Sequence, residues 1–381
     1  MYALRYLETA SQLFRQYEAR LPLAEFLKLY FKQHRKHGSR DRRFIVELLY
    51  GAYRLGPQSE EISLHDRMVA GAFLSNRLPD DFFFSLKPEW LPMKSGSTEE
   101  RMHWFEQHTP IRFNHRFPLT EGLSEHAYRQ HLFSKPGLFI RVRKNRKEIE
   151  ARLQQQGISF HEIGEHGLQF EHGTRLQDIL PASDYVVQDW ASQQCGFYLQ
   201  GKEGESWWDC CAGSGGKSIL LLDQSPPVQL LVSDKRKGII NNLHLRMKQY
   251  GYTGNYRSEI IDLEDPDAVL PEEKFDVILA DVPCSGSGTW ARSPEQYYFA
   301  TMDMFYAYQK MQWTILQRVF PKLKPGGRLL YITCSVCRIE NEEMVAKAET
   351  HFNVKSSTST LLNAFPQGGD ALSGHQKFMY K

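Results

Sequence analysis

The chain has 381 residues, of which 41% are hydrophobic, and its formal net charge at pH 7 is +2. This length accommodates two or three domains with cores of their own, which excludes a small disulfide-stapled protein and an intrinsically disordered one. The near-neutral charge gives no whole-chain argument for nucleic-acid binding, so any basic surface must be local.

Helical spacing of apolar residues runs through the first part of the chain, as in Leu23, Phe26, Leu27 and Tyr30. It predicts a helical domain over residues 1–125, in which residues 79–118, rich in Pro, Trp and Phe, form a linker or an irregular segment. Residues 126–185 then predict a small basic α+β domain, with a helix at 148–156 and strands at 139–142, 158–163 and 168–171.

Strands and helices alternate from residue 186 to residue 381. The predicted strands are 207–210, 230–233, 256–261, 275–280 and 329–333. The predicted helices are 217–222, 237–250, 305–323 and 341–351. This α/β pattern is typical of a doubly wound, mostly parallel sheet, in which ligands bind at the carboxyl ends of the strands.

The first residues lack the uninterrupted apolar core of a signal peptide, and no stretch reaches the roughly 18 apolar residues of a membrane span. The cysteines have neither the spacing of a disulfide framework nor that of a zinc site. We therefore expect a cytoplasmic protein without a membrane segment or a bound metal. Its thiols fall into two groups: Cys195, Cys210 and Cys337 as buried apolar residues, and Cys284 and Cys334 as reactive groups.

A glycine-rich loop, residues 209–217, follows the first strand of the sheet and opens a helix, so its backbone can approach a ligand closely. It ends like the phosphate-binding loop of NTPases, but Cys211 occupies the position of that motif's first glycine. Asp234, which ends the second strand, can accept hydrogen bonds from an adenosine ribose, and Asp262 can approach the adenine amino group. Dehydrogenases and methyltransferases both use such carboxylates.

Two thiols follow the last two parallel strands, in Pro283-Cys284 and Thr333-Cys334-Ser335. Carbon 5 of cytosine is a poor nucleophile, but attack of a thiolate on carbon 6 makes an enamine that accepts a methyl group. A second group must then remove the proton from carbon 5 before the enzyme can leave. Two cysteines at neighbouring strand ends suit this order of steps.

Together these segments resemble the Sun/Fmu-type RNA cytosine-5 methyltransferase family. The matching stretches lie in the last half of the chain, in the family's order, at 188–193, 209–217, 233–236, 281–288 and 333–335. Residues 39–54 resemble, more loosely, the helical RNA-binding domain of the family's bacterial ribosomal members. The resemblance implies a Rossmann-like methyltransferase domain that uses S-adenosylmethionine and acts on structured RNA, with 16S ribosomal RNA as the expected substrate.

The resemblance also implies roles for individual residues. Cys334 would be the nucleophile, Cys284 the group needed for product release, Asp281 a contact to the edge of the base, and Lys217 a neighbour of cofactor and base. The cofactor pocket would contain Cys211, Ala212, Gly213, Ser214, Gly215, Gly216, Lys217, Asp234, Asp262 and Asp281. Where the family usually has Ala-Pro, this chain has Gly213-Ser214, which predicts a more flexible loop.

Arg141, Arg143 and Lys144 cluster at the first strand of the α+β domain, and we expect them to contact RNA phosphates, although charge alone fits a solvated strand end equally well. We expect a monomer without a stable protein partner. Four alternatives stay open: a transfer-RNA cytosine-5 methyltransferase, a catalytically silent ribosome-assembly factor, a DNA cytosine methyltransferase and an NTPase.

Overall fold

The computed structural model describes residues 2–57, 62–113, 116–134, 136–363 and 372–380. They divide into two compact units. The first comprises Met1–Phe117, Ser124–Pro136 and Thr289–Thr301, and the second comprises Pro118–Leu123, Gly137–Gly288 and Met302–Lys381. Most of the predicted α+β and methyltransferase domains lies in the second unit, but residues 126–136 and 289–301 belong to the first, and the three-domain division stays a prediction.

The first unit is helical, as predicted. Its helices are α1 (Tyr2–Gln16), α2 (Leu23–Gln33), α3 (Ser39–Arg54), α4 (Leu64–Leu74), α5 (Asp80–Phe84), α6 (Thr98–His108), α7 (Glu125–Phe133) and, from a later part of the chain, α12 (Pro294–Phe299). Helices α3 and α4 pack backbone to backbone at two glycines. A Cβ atom on Gly71 would lie 2.0 Å from the carbonyl oxygen of Gly51, so no side chain fits at residue 71.

The prediction of an irregular segment at 79–118 was wrong in part, because this stretch contains α5, a 3₁₀ turn (Pro88–Met93) and α6. Buried Phe83, Trp90 and Phe105 pack these elements into the core of the helical unit, which compensates for their weak periodicity. A local signal was present in the sequence: Ser97 and Glu100 form a capping box at the start of α6.

The second unit contains a four-stranded antiparallel sheet in the order β2–β3–β1–β4. Its elements are β1 (Leu138–Val142), α8 (Arg146–Gln155), β2 (His161–Ile163), β3 (Gly167–Phe170) and β4 (Tyr185–Val187). Ile140, Leu153 and Leu168 are fully buried between the sheet and α8. The sequence predicted this α+β arrangement except for β4, whose three residues are too short to show a period.

The second unit also contains a seven-stranded sheet with helices on its faces. Its elements are α9 (Trp190–Gln194), β5 (Ser206–Asp209), α10 (Gly216–Gln224), β6 (Gln229–Asp234), α11 (Lys237–Gln249), β7 (Tyr256–Ile260), β8 (Phe275–Asp281), α13 (Met302–Val319), β9 (Leu323–Thr333), α14 (Glu342–Phe352), β10 (Lys355–Asn363) and β11 (Leu372–Tyr380). The strand order is β10–β11–β9–β8–β5–β6–β7, in which β5 to β9 are parallel and β10 and β11 are antiparallel. This confirms the predicted doubly wound sheet.

Two core layers cover the faces of this sheet. Adjacent strand residues point to opposite faces, and Trp207 and Trp208 accordingly lie fully buried in separate apolar clusters. The strand order changes direction at β5, because β6 lies on one side of it and β8 on the other. The crevice for a ligand therefore lies at the carboxyl ends of these strands. Among the helices of the described ranges, none has the length and apolar composition that a membrane span requires.

Candidate active site

A cavity of about 480 Å³ opens at the carboxyl ends of the parallel strands. Its lining combines carboxylates, two thiols and apolar side chains. The lining residues are Cys210, Cys211, Gly213, Asp234, Lys235, Arg236, Ile261, Asp262, Leu263, Glu264, Asp281, Val282, Pro283, Cys284, Tyr308, Met311, Ile315 and Cys334. Five of the ten residues predicted for the cofactor pocket are among them. The other five lie next to these residues in the chain, either in the adjoining loop or in the first turn of α10. They are Ala212, Ser214, Gly215, Gly216 and Lys217.

The glycine-rich loop connects β5 to α10 and is held on both sides. The Gly213 N–H donates to Asp234 Oδ2 at 3.1 Å, and Arg246 Nη1 donates to the hydroxyl and carbonyl oxygens of Ser214 at 2.7 and 2.8 Å. Gly213 and Gly215 have positive φ angles of 53° and 80°. Glycine adopts this left-handed conformation without the steric cost that a Cβ atom brings, which explains the residue type at both positions.

Asp234 lies where the sequence placed it, at the end of β6. Its Oδ1 accepts hydrogen bonds from the backbone N–H of Arg236 at 3.0 Å and from the Arg236 guanidinium at 2.9 Å. Burial opposes ionisation, but these hydrogen bonds outweigh it and lower the pKa of Asp234. The carboxylate is therefore ionised at neutral pH. Arg236, which the sequence analysis did not single out, thus covers this acceptor.

Lys217 and Asp281 form an ion pair between α10 and the end of β8, with Nζ 2.5 Å from Oδ2. Burial alone would lower the pKa of Lys217, but the charge of Asp281 and the neighbouring thiols of Cys195 and Cys334 outweigh it, so the pKa is raised. Lys217 is therefore a fixed positive charge that interacts electrostatically with Cys334.

The thiols of Cys284 and Cys334 meet at the cavity, with their sulfur atoms 3.2 Å apart. The backbone N–H of Cys334 also points to Cys284 Sγ at 3.3 Å. Cys334 is exposed and Cys284 is half-buried, whereas Cys195, Cys210 and Cys337 are buried, as predicted for apolar packing. The hydrogen bond with Cys334, together with burial, raises the pKa of Cys284 well above its usual range. Cys284 therefore holds its proton at neutral pH.

Asp209, at the end of β5, was not identified as a separate site residue. Its side chain is 1% exposed, and its Oδ2 accepts a hydrogen bond from the Ser218 hydroxyl at 2.5 Å. Burial raises the pKa of Asp209 to about 7, with a further contribution from the charge of Asp281. A buried carboxyl group beneath the loop therefore titrates near neutral pH.

The structure contradicts the expected phosphate contact of Arg141 and Arg143. Their side chains are only 6% and 4% exposed, and both guanidinium groups bind the carboxylate of Asp223. A guanidinium group that is buried and paired in this way cannot reach an RNA backbone without breaking the cluster. Of the three predicted RNA contacts, Lys144 alone is exposed.

Trp290 and Tyr297, which follow the Pro283-Cys284 segment in the chain, belong to the helical unit and are buried at 0% and 3% exposure. Trp290 packs edge-to-face against Phe117 and donates a hydrogen bond to Gln296. These are core positions. Within the described part of the chain, no three His, Cys, Asp or Glu side chains are grouped to hold a metal ion.

The sheet order and the strand-end cavity define the Rossmann-like methyltransferase fold, and solved structures share it. The protein PH0851 superimposes with a TM-score of 0.68 at 19% sequence identity, over 99% of this chain and 98% of that one. The NSun6 structure from Pyrococcus horikoshii with SFG gives a TM-score of 0.56 at 16% identity, over 68% of this chain and 94% of that one.

Residues 196–372 match the family model described as 16S rRNA methyltransferase RsmB/F. This match covers less than half of the chain and supports the Sun/Fmu resemblance, with S-adenosylmethionine as the cofactor.

Curated relatives agree with this family. Ribosomal RNA small subunit methyltransferase B from Vibrio cholerae is 33% identical over 221 residues, which are 56% of this chain and 50% of the relative. The protein of the same name from Klebsiella pneumoniae is 30% identical over 223 residues, with the same two coverages. The chain spans about half the length, or less, of the curated relatives it matches.

Proposed function

We propose that the protein transfers a methyl group from S-adenosylmethionine to carbon 5 of a cytosine in small-subunit ribosomal RNA. The observation that carries this proposal is the pair of thiols, Cys284 and Cys334, with sulfur atoms 3.2 Å apart at a cavity of cofactor size. A methyltransferase that acts on oxygen or nitrogen needs no such pair, because its acceptor atom is itself nucleophilic. The RNA is proposed from the relatives, which are named as ribosomal RNA small subunit methyltransferases.

The cavity lining fits S-adenosylmethionine. Asp234 offers an ionised carboxylate for the ribose hydroxyls once Arg236 moves aside, and Asp262 lies next to it in the lining. Ile261 and Leu263 provide apolar surface for an adenine ring. When bound, S-adenosylmethionine supplies an electrophilic methyl group. The residues of the chain orient both substrates, position the attacking thiol and accept the proton that leaves carbon 5.

The covalent step begins at Cys334, whose thiolate adds to carbon 6 of the cytosine while the ring becomes an enamine at carbon 5. Lys217 lies beside this step, since its positive charge interacts electrostatically with Cys334. After carbon 5 has gained the methyl group, its proton must leave. The electron pair of that C–H bond restores the ring double bond and expels the Cys334 sulfur from carbon 6.

Cys284 belongs to this last step. It stands beside Cys334 but keeps its proton, because the hydrogen bond and burial raise its pKa. A protonated thiol does not compete for carbon 6, so the two cysteines are distinguished before the substrate arrives. Once the Cys334 sulfur is bonded to carbon 6, its hydrogen bond with Cys284 is lost, so Cys284 releases its proton to solvent and its thiolate accepts the proton from carbon 5. Because both thiols lie in a crevice, the cytosine must be unpaired or flipped out of its stack.

The test compares two cysteine variants and uses an in vitro transcript of 16S ribosomal RNA. Cys334→Ala should abolish methyl transfer and form no covalent species. Cys284→Ala should still attack and methylate but stall before release, so a protein–RNA adduct should survive denaturing gels. The buried Cys337→Ala serves as the matched control, because Cys337 does not line the cavity, with methylation and release unchanged.

An adduct that forms with Cys334→Ala and depends on Cys284 would invert the two roles. Bisulfite sequencing of RNA from cells with and without the protein identifies the target. Loss of one modified cytosine from 16S ribosomal RNA is the expected result, and an unchanged map would refute the proposed substrate.

A further inference from the structure

A buried carboxylate lies behind the two thiols and connects the loops that carry them. Glu340 has an exposure of 0%. Its Oε1 accepts a hydrogen bond from the backbone N–H of Ser285 at 2.8 Å, and its Oε2 accepts from the hydroxyls of Ser285 and Ser335, each at 2.5 Å. Ser285 directly follows Cys284, and Ser335 directly follows Cys334, so one carboxylate holds both cysteine loops.

A second layer fixes the carboxylate itself. Gln312, from α13, donates from Nε2 to Glu340 Oε1 at 3.0 Å and to the carbonyl oxygen of Pro283 at 2.9 Å. The hydroxyl of Tyr331, on β9, lies 2.8 Å from the Glu340 carbonyl oxygen and 2.9 Å from Gln312 Oε1. The network therefore spans the ends of β8 and β9 and the helix between them, which leaves the loops little freedom to move apart.

Within the described part of the chain, four uncharged donors from Ser285, Ser335 and Gln312 reach this carboxylate. Burying a carboxylate is costly, and hydrogen bonds without a counterion offset that cost only in part. Consistent with this, burial raises the pKa of Glu340. Apolar residues would join the loops at lower cost, but they would not fix the direction of hydroxyl and N–H groups on both loops at once.

We infer that Glu340 is a positioning residue that sets the separation of the Cys284 and Cys334 sulfur atoms. Its effect on catalysis rests on the proposed function, because attack by one thiol and release assisted by the other require both loops to be held in a fixed relative position. Its effect on the thiol spacing is independent of any substrate. The two effects call for two measurements.

The substrate-independent measurement is closure of a Cys284–Cys334 disulfide by diamide, in which the two thiols lose two electrons and two protons to the diazene. The peptides are followed by mass spectrometry in Glu340→Gln. Glu343→Gln is the matched control, because Glu343 lies nearby but is exposed and pairs with Arg338 at the surface. We expect the wild type and the control to close at equal rates and Glu340→Gln to close about tenfold more slowly.

The catalytic measurement uses single turnovers with the 16S transcript and radiolabelled S-adenosylmethionine. Ser335→Ala should slow adduct formation, whereas Ser285→Ala should slow adduct release, each by about tenfold, and Glu340→Gln should slow both. The double variant Glu340→Gln/Ser335→Ala should form the adduct no more slowly than Glu340→Gln alone, since both changes remove one connection. The KM for S-adenosylmethionine should stay within about twofold.

Disulfide closure at the wild-type rate in folded Glu340→Gln would overturn the inference. Serine variants in which adduct formation and adduct release slow equally, in proportion to the loss of thermal stability, would also overturn it. That result would describe a purely structural contact. A wild type that forms no methylcytosine but closes its disulfide faster than Glu340→Gln would refute the proposed function while supporting the positioning role.

Discussion

The cluster around Asp223 offers a test that separates a structural role from RNA binding. Asp223 Oδ2 lies 2.5 Å from Arg141 Nη2, and Oδ1 lies 2.6 Å from Arg143 Nη2. The hydroxyl of Tyr252 donates to Oδ1 at 2.6 Å. The isosteric change Asp223→Asn keeps the shape of the side chain but leaves two buried guanidinium groups without their counterion.

The expected loss follows from burial. The Arg141, Arg143 and Asp223 side chains are 6%, 4% and 11% exposed, so solvent screens the pairs weakly. Removing one partner of a buried ion pair costs about 3–5 kcal/mol. For a domain of this size, each kcal/mol shifts the melting temperature by roughly 2–4 °C, so we expect a drop of about 6–20 °C.

Urea unfolding at pH 7 measures the change, with Lys144→Gln as the matched control, since Lys144 belongs to the same basic cluster but is exposed. The two arginines outweigh burial and lower the pKa of Asp223 in the folded state. The stabilisation is therefore present above the unfolded pKa of about 3.9 and is lost as the pH falls through the lower, folded value. The deficit of Asp223→Asn should shrink on acidification.

A different outcome would restore the original RNA prediction. If Asp223→Asn unfolded like the wild type while Arg143→Gln reduced RNA binding and flattened its salt dependence, the arginines would be phosphate contacts. We expect instead that Lys144→Gln weakens RNA binding without a change in the free energy of unfolding.

Three further predictions concern single side chains. Asp234→Ala should weaken S-adenosylmethionine binding by roughly 10- to 150-fold in calorimetry, because the ribose hydroxyls lose a charged acceptor, and unchanged affinity would show that the cofactor lies elsewhere. With the pKa of Asp209 raised from 3.8 to about 7, the folded state retains a proton that the unfolded chain releases, so stability should fall as pH rises between those values. Asp209→Asn should remove about 2–3 kcal/mol of that fall between pH 5 and pH 8 in urea titrations, and an identical pH profile would contradict it. Gly71→Ala should lower the melting temperature of the helical unit, since its Cβ atom would lie 2.0 Å from the Gly51 carbonyl oxygen, whereas the open position Gly157, with φ +66°, should respond only through backbone strain.

Local patterns allowed the strands and the two reactive thiols to be predicted. The glycine loop, Asp234 and both cysteines lie at the end of an apolar strand or within three residues after it, and parallel strands end at one edge of a sheet. Their convergence therefore follows from topology without knowledge of any side-chain contact. The resemblance to a family added the distinct roles of the cysteines, which spacing alone does not determine.

Contacts between distant parts of the chain escaped prediction. Arg141 and Arg143 read as a basic surface because Asp223 lies 82 and 80 residues further along. Glu340 likewise reads as one acidic residue before a helix, although it binds Ser285, 55 residues away. In both cases the charged residues were visible in the sequence. The partner that determines their role becomes adjacent only after folding.

The departure from the family at Gly213-Ser214 illustrates the same point at the cofactor loop. A serine in place of proline predicts a looser loop, because the unfolded chain gains freedom. In the structure, Arg246 donates to both oxygens of Ser214, and Gly213 has φ +53°, a conformation that costs a residue with a Cβ atom about 1–2 kcal/mol. The two substitutions are therefore compatible with an ordered loop. Glycine permits the turn, and a side chain from α11 supplies a restraint that a proline ring would otherwise provide.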